Sequence, residues 1–233
     1  MGSLLTSSPA DLAGLEARIT TCRICPRLVA WRERVARERR AAFAQETYWG
    51  RPVPGFGDPL ARVYVLGLAP AAHGANRTGR VFTGDRSGDF LFAALHRAGY
   101  ANQAEAVMLG DGLELRDCFI TAAVRCAPPA NKPLPEERER CAHWLDRELA
   151  LIATPRVVVC LGAYAWEAAL RTPALADGPP PRPRPPFGHG AEHGRLLGCF
   201  HPSQQNTFTG KLTPAMLDDV LLRARALAEE PFA

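Results

Sequence analysis

Val63-Tyr64-Val65-Leu66-Gly67-Leu68 is an apolar, β-branched run too short for a helix, and it reads as a strand buried on both faces. Ala69-Pro70-Ala71-Ala72-His73-Gly74-Ala75-Asn76-Arg77-Thr78-Gly79-Arg80-Val81-Phe82-Thr83-Gly84-Asp85 follows, rich in glycine and small or polar residues. Arg86-Ser87-Gly88-Asp89 then opens a helix with an apolar face of Phe90, Leu91, Ala94, Leu95 and Ala98, closed by Gly99. A strand, a long glycine-punctuated loop and a helix start are how an open α/β sheet builds a ligand site. Loops at the carboxyl ends of parallel strands meet there, and helix amides offer donors. A plain surface connection is the competing reading, but a loop of this length without its own structure is usually functional.

The same unit recurs along the chain. A strand is expected at Asp117–Val124, then a loop Arg125–Pro133 and a helix over 135–153 with Cys141, Trp144, Leu145, Leu149 and Ile152 on its inward stripe. Arg156–Gly162 is a third strand, with a short helix from Ala163 to Leu170. Arg195–Phe200 is the fourth, ending in the polar loop His201–Gly210. Thr213-Pro214 caps a last helix whose Leu217, Val220, Leu221, Ala224 and Leu227 face the core. Four such units imply a parallel sheet with helices on both faces, and three of the polar loops converge on one edge of it. A single domain is expected over 9–228, with tails at 1–8 and 229–233. The proline-rich stretch 173–190 reads as an extended surface insertion, because a strand still follows it.

Upstream, residues 9–21 form a short amphipathic helix with Leu12, Leu15 and Ile19 on one face. Cys22-Arg23-Ile24-Cys25-Pro26 leads into a second helix carrying Leu28, Trp31 and Val35 on one side. Its other side carries Arg27, Arg32, Arg34, Arg37, Arg39 and Arg40. These arginines read as a solvated face partly balanced by Glu33 and Glu38, with a phosphate-facing stripe as the alternative. Tyr48–Pro59, rich in Gly and Pro, is a loop before the first strand.

With 233 residues, 47% hydrophobic and 22% charged, the chain is of ordinary globular composition. The net charge of +4 permits a nucleic-acid partner without requiring one. The first twenty or so residues lack the pattern of a secretory signal, and no stretch is long and apolar enough for a membrane span. A cytoplasmic protein is expected, so the seven cysteines read as metal ligands or core residues rather than disulfides. Cys22 and Cys25 are spaced to share a metal, and Cys126 and Cys141 can complete a four-thiolate set. Spacing does not choose between zinc and an iron–sulfur cluster. Cys118, Cys160 and Cys199 lie within apolar strands and read as core.

Four segments together carry a resemblance: Gly67–Gly74, Gly79–Asp85, Ala123–Pro133 and His201–Gly210, in that order and each following an expected strand or its loop. The chain from Cys22 to about Leu227 resembles the uracil-DNA glycosylase superfamily, specifically its family 5. The resemblance implies a three-layer α/β/α fold around a four-stranded parallel sheet. It implies a structural [4Fe–4S] cluster held by Cys22, Cys25, Cys126 and Cys141, with zinc as runner-up. The implied activity is hydrolysis of the N-glycosidic bond of uracil, and more broadly of hypoxanthine and xanthine, in DNA by a monomeric enzyme of base-excision repair.

Under that resemblance the base leaves the stack and enters a pocket. Phe82 would stack on it, with Gly67, Ala69, His73 and Ala122 around it. His201 would donate to the pyrimidine O2 of the departing anion. Asp85 would orient water or stabilise the sugar cation, and its competing role is N-cap of the following helix. Asn131 would contact the base or position water. Ser203, Gln204, Gln205 and Asn206 would enter the DNA groove. Arg77, Arg80, Arg125, Lys132 and Lys211 would meet the backbone.

Two positions depart from the related family 4 pattern. Leu68 stands where those enzymes carry Glu after the first-motif glycine, and Ala122 stands where they carry an Asn that reads the base edge. Asp85 becomes the best remaining carboxylate, and the pocket should enlarge towards purines. The alternatives are a damaged-DNA-binding module with little catalysis and, more weakly, a nucleotide-handling enzyme, since the loop lacks Gly-x-x-x-x-Gly-Lys-Ser/Thr.

Overall fold

In the computed structural model, which describes residues 9–152 and 155–230, the apolar runs become the sheet. In chain order come α1 (Pro9–Thr20), α2 (Pro26–Glu38), β1 (Phe56–Gly57), β2 (Val63–Gly67), α3 (Ala75–Thr78), α4 (Arg86–Arg97) and β3 (Cys118–Ala122). Then follow α5 (Pro135–Leu151), β4 (Val157–Leu161), α6 (Ala163–Leu170), α7 (Pro173–Ala176), β5 (Glu192–His193), β6 (Leu196–Cys199), α8 (Gln204–Phe208) and α9 (Pro214–Glu229). Every residue of β2, β3, β4 and β6 is buried, as both-face burial demands. The expected end of α5 at residue 153, tail 1–8 and residues 231–233 lie outside the described residues.

The sheet order is β1-β3-β2-β4-β6-β5. The four expected strands pair in parallel, with Val63 opposite both Cys118 and Val157, and Val158 opposite Leu196. The count of four is corrected to six. Phe56-Gly57 and Glu192-His193 each add two residues antiparallel to an edge. Such short stretches carry no periodicity to read, and they cover otherwise open strand edges.

One face of the sheet packs Val63, Val65, Ile120 and Val159 against Leu91, Leu95, Leu217 and Leu221 of α4 and α9. The other packs Tyr64, Leu66, Phe119 and Val158 against Leu12, Leu145, Leu149 and Trp166 of α1, α5 and α6. These are the two outer layers of an α/β/α domain. The proline-rich stretch 173–190 begins with α7 and lies against α6, where Trp166 Nε1 donates to the Pro185 carbonyl at 3.0 Å. After β2 the chain turns to β3, and after β4 it turns to β6 on the opposite side. The loops therefore part beside the carboxyl end of β2, where such sheets hold ligands. Among the described residues no helix is long and apolar enough to cross a membrane.

Candidate active site

A cavity of about 560 Å³ opens at that edge. It is lined by Leu68, Ala69, Pro70, Ala71, Ala75, Val81, Phe82, Asp85 and Ser87 from the segment after β2. Asn131 comes from the loop after β3, and His201, Ser203, Gln204 and Gln205 from the segment after β6. Phe82 has φ of 51°, in the left-handed region, a strained backbone for a bulky residue. Its ring lies against the Cα of Gly67, where an added Cβ would come within 2.7 Å of it. The ring centroid stands 5.9 Å from that of His201. Gly67 and Ala122 are register partners in β2 and β3, and neither is among the residues that line the cavity, Gly67 lying behind the Phe82 ring.

Asp85 caps α4 and lines the cavity at once. Its Oδ1 accepts from the amides of Ser87 (2.9 Å) and Gly88 (3.2 Å), which caps α4. Its other oxygen packs against Gly74, where a Cβ would collide with it. Burial pushes the Asp85 carboxyl up, against the pull of the Gly88 and Ser87 amides. Burial pushes His201 down to about 4, so its imidazole is neutral at pH 7. Ser203 caps α8, and Asn206 Nδ2 donates to the His201 carbonyl at 2.8 Å, which fixes the backbone that carries the imidazole. The expected loop 201–210 is thus a short helix. The loop after β2 likewise contains α3.

Asn131 is exposed, with φ of 55° following Ala130 at 52°. His73 does not line the cavity. It faces an adjoining groove, its Nδ1 at 3.0 Å from the Tyr48 hydroxyl, and burial, then Arg40 and Arg77, hold its pKa down.

Cys22, Cys25, Cys126 and Cys141 all line one narrow apolar cleft, together with Leu28, Val29, Val124 and Trp144. Arg32, 2% exposed, donates to Cys126 Sγ at 2.9 Å and to the Cys22 carbonyl at 3.1 Å. The Arg125 amide donates to Cys141 Sγ at 3.3 Å. Among the described residues no three His, Cys, Asp or Glu side chains are placed to share one metal ion. Cys118, Cys160 and Cys199 are buried in their strands.

The arginines need correction. Arg80 is 3% exposed and pairs with Asp111 through 2.7 and 2.6 Å bonds, so it does not face solvent. Arg125 is 1% exposed and donates to Glu148 at 2.8 Å and to Thr121. Tyr64 donates to the same Glu148 oxygen at 2.5 Å. Arg77 pairs with Glu46, donates to the His73 and Gly84 carbonyls and covers the Phe43 ring. Arg32 is buried rather than part of a solvated face. A buried guanidinium needs fixed acceptors, and these four find them inside the molecule. Lys132 is exposed, and Lys211 lies over the Phe200 ring at 4.8 Å. The sequence reading missed Leu68, Val81 and Ser87 as lining residues, and Arg40, Phe43 and Arg86 of the adjoining groove. For Arg32 a signal existed, since it shares the stripe of Leu28 and Val35 at helical spacing.

The sequence profile of the Uracil DNA glycosylase superfamily matches residues 54–225. The chain is 55% identical over 230 residues to a type-5 uracil-DNA glycosylase of Mycobacterium bovis, covering 96% of this chain and 84% of that protein. It is 53% identical over 215 residues to a type-5 uracil-DNA glycosylase of Thermus thermophilus, covering 90% and 95%. Similarity to a type-4 uracil-DNA glycosylase of Archaeoglobus fulgidus is 34% over 114 residues, 48% of this chain and 49% of that one.

Proposed function

The chain belongs to the uracil-DNA glycosylase superfamily, within its type-5 group, and we propose that it hydrolyses the N-glycosidic bond of uracil in DNA, with hypoxanthine and xanthine as further substrates. The observation that carries this reading is the single cavity in which Phe82, Asp85, Asn131 and His201 share one lining. At about 560 Å³ it admits a flipped base with its sugar.

In this reading the base stacks on Phe82. Cleavage leaves negative charge on the base and positive charge on the sugar. The neutral His201 imidazole donates its N–H to the oxygen that gathers the negative charge. It gives up no proton, which suits a group held neutral by burial. Among the described residues Asp85 supplies the only carboxylate of the cavity lining, and it stabilises the sugar cation or orients the attacking water. Asn131 holds the water or the base edge. Leu68 brings no carboxylate and Ala122 no amide, so the cavity selects by stacking and shape more than by the base edge, and purines fit that selection.

The same reading gives the four-cysteine cleft a [4Fe–4S] cluster. The residues fit such a group. Four thiols from three segments line one cleft, and a buried guanidinium donates to one of them. A guanidinium buried beside neutral thiols alone would be costly, whereas an anionic thiolate assembly balances it. The cluster would tie the N-terminal helices to the loop after β3; its chemistry is structural, with no step in base release.

The test is base release from a labelled duplex holding one uracil, followed by alkali to cut abasic sites. Wild-type protein should release uracil, and Asp85→Ala and His201→Ala should each slow a single turnover by about 10²–10³. No release, with tight binding to the lesion, would replace the enzyme by a damaged-DNA-binding module. Parallel rates on hypoxanthine and thymine duplexes decide the substrate range, and a strict uracil preference removes the purine part.

A further inference from the structure

The arginines expected on phosphates turn inward, which leaves open where the DNA backbone runs. A second groove, of about 540 Å³, adjoins the base cavity and shares Ala71, Asp85, Asn131 and Gln204 with it. Arg40, Phe43 and Arg86 are among the residues that line it. Neither Arg40 nor Arg86 forms an ion pair among the described residues. Arg86 instead lies over the ring of Phe208, its guanidinium carbon 5.3 Å from the centroid, and Phe208 is 67% exposed. Arg40 follows the end of α2, and its charge helps hold His73 neutral in the groove wall. Asp85 and Asp89 also line the groove and are the acids that oppose an anion there, and Asp89 feels the Arg86 charge. Gly74 and His73, neither bearing charge at neutral pH, line the groove too.

We propose that this groove holds the sugar–phosphate backbone of the damaged strand on one flank of the flipped nucleotide, with Arg40 and Arg86 on its phosphates. The inference rests on the glycosylase reading above. A nucleotide whose base is in the cavity and whose sugar is at Asp85 must continue its chain outward. The groove begins at Asp85 and Asn131 and is the neighbouring depression that carries unpaired cations. Two guanidiniums face two carboxylates, Asp85 and Asp89; with Asp85 Oδ1 already bonded to the Ser87 and Gly88 amides that open α4, the arginines are the groove's partners for an anionic chain. Arg80 and Arg125 are spent on Asp111 and on Thr121 and Glu148 inside the molecule.

The experiment measures binding of wild type and variants to a duplex carrying an uncleavable abasic-site analogue across a salt series. Each lost phosphate contact lowers the slope of log affinity against log salt by about 0.9. The double variant Arg40→Ala/Arg86→Ala should therefore lose roughly two from the slope. Arg223→Ala, near the end of α9 and paired with Glu192 and Glu230, should keep the wild-type slope. An unchanged slope in the double variant, or an equal loss in Arg223→Ala, overturns the proposal. A wild type that binds with an Arg40- and Arg86-dependent slope yet releases no base would keep the groove and remove the enzyme. Base release with a slope indifferent to both arginines would do the reverse.

Discussion

The cysteine cleft and the base cavity both sit beyond the carboxyl ends of parallel strands, yet they are closed in opposite ways. The cleft is narrow and mostly apolar, and the buried Arg32 beside it is bonded to the thiol of Cys126 and the carbonyl of Cys22. The cavity is wide, and its polar groups face the open space while being fixed from behind: Asp85 by the first amides of α4, His201 through Asn206. The first arrangement suits a group that stays. The second suits a guest that enters and leaves, because its donors and acceptors are pre-aimed without being satisfied by one another.

The largest effect should come from breaking the closed region. Cys126→Ser should abolish the iron and acid-labile sulfide of the purified protein and lower its melting temperature, because binding energy at such a site is also folding energy. Retention of iron and sulfide in that variant would remove Cys126 from the ligand set, and wild-type protein free of both would remove the cluster.

A smaller effect belongs to the cavity and to pH. His201 has its pKa depressed from 6.5 to about 4 in the folded chain. The unfolded chain therefore takes up this proton near pH 6.5 while the folded one does not. The stabilisation is complete above pH 6.5 and is lost as pH falls towards 4, by up to about 3 kcal/mol. Denaturant unfolding at pH 7 and pH 4.5 should show this fall in the wild type, and His201→Phe should show a shallower one. Equal falls in both would place the pH sensitivity elsewhere.

The smallest concerns Gly67, behind the Phe82 ring of the cavity. Gly67→Ala puts a methyl about 2.7 Å from the Phe82 ring, so the ring must move. The expected cost is about 1–3 kcal/mol of stability, with slower base release at an unchanged iron content. A base-release rate equal to the wild type would show that the ring position over Gly67 does not matter to the reaction.

The parts of the molecule legible in the chain were those set by near neighbours. Val63–Leu68 and its three counterparts announced the parallel strands. Asp85 two residues before Ser87 announced a cap, and Thr213-Pro214 another; Cys141, Trp144 and Leu145 marked the inward stripe of α5. The edge strands β1 and β5 were not legible, since two residues in a loop become a strand only when an edge is there to pair with. His73 was placed with the base because it lies in the same motif, but Tyr48 draws it into the groove.

Amino-acid order alone determined the layers of the fold, the Cys22–Cys25 pair and the segments that build the cavity. Periodicity, capping and strand-end loops are all short-range properties. Tertiary structure alone decided what each charge does. Arg80 meets Asp111 31 residues away, Arg125 meets Glu148 23 residues away, and Arg32 meets Cys126 94 residues away. Whether an arginine faces solvent or closes a buried pair depends on which distant acceptor the fold brings to it. Arg40 and Arg86, which receive no such acceptor, are left facing outward beside the cavity.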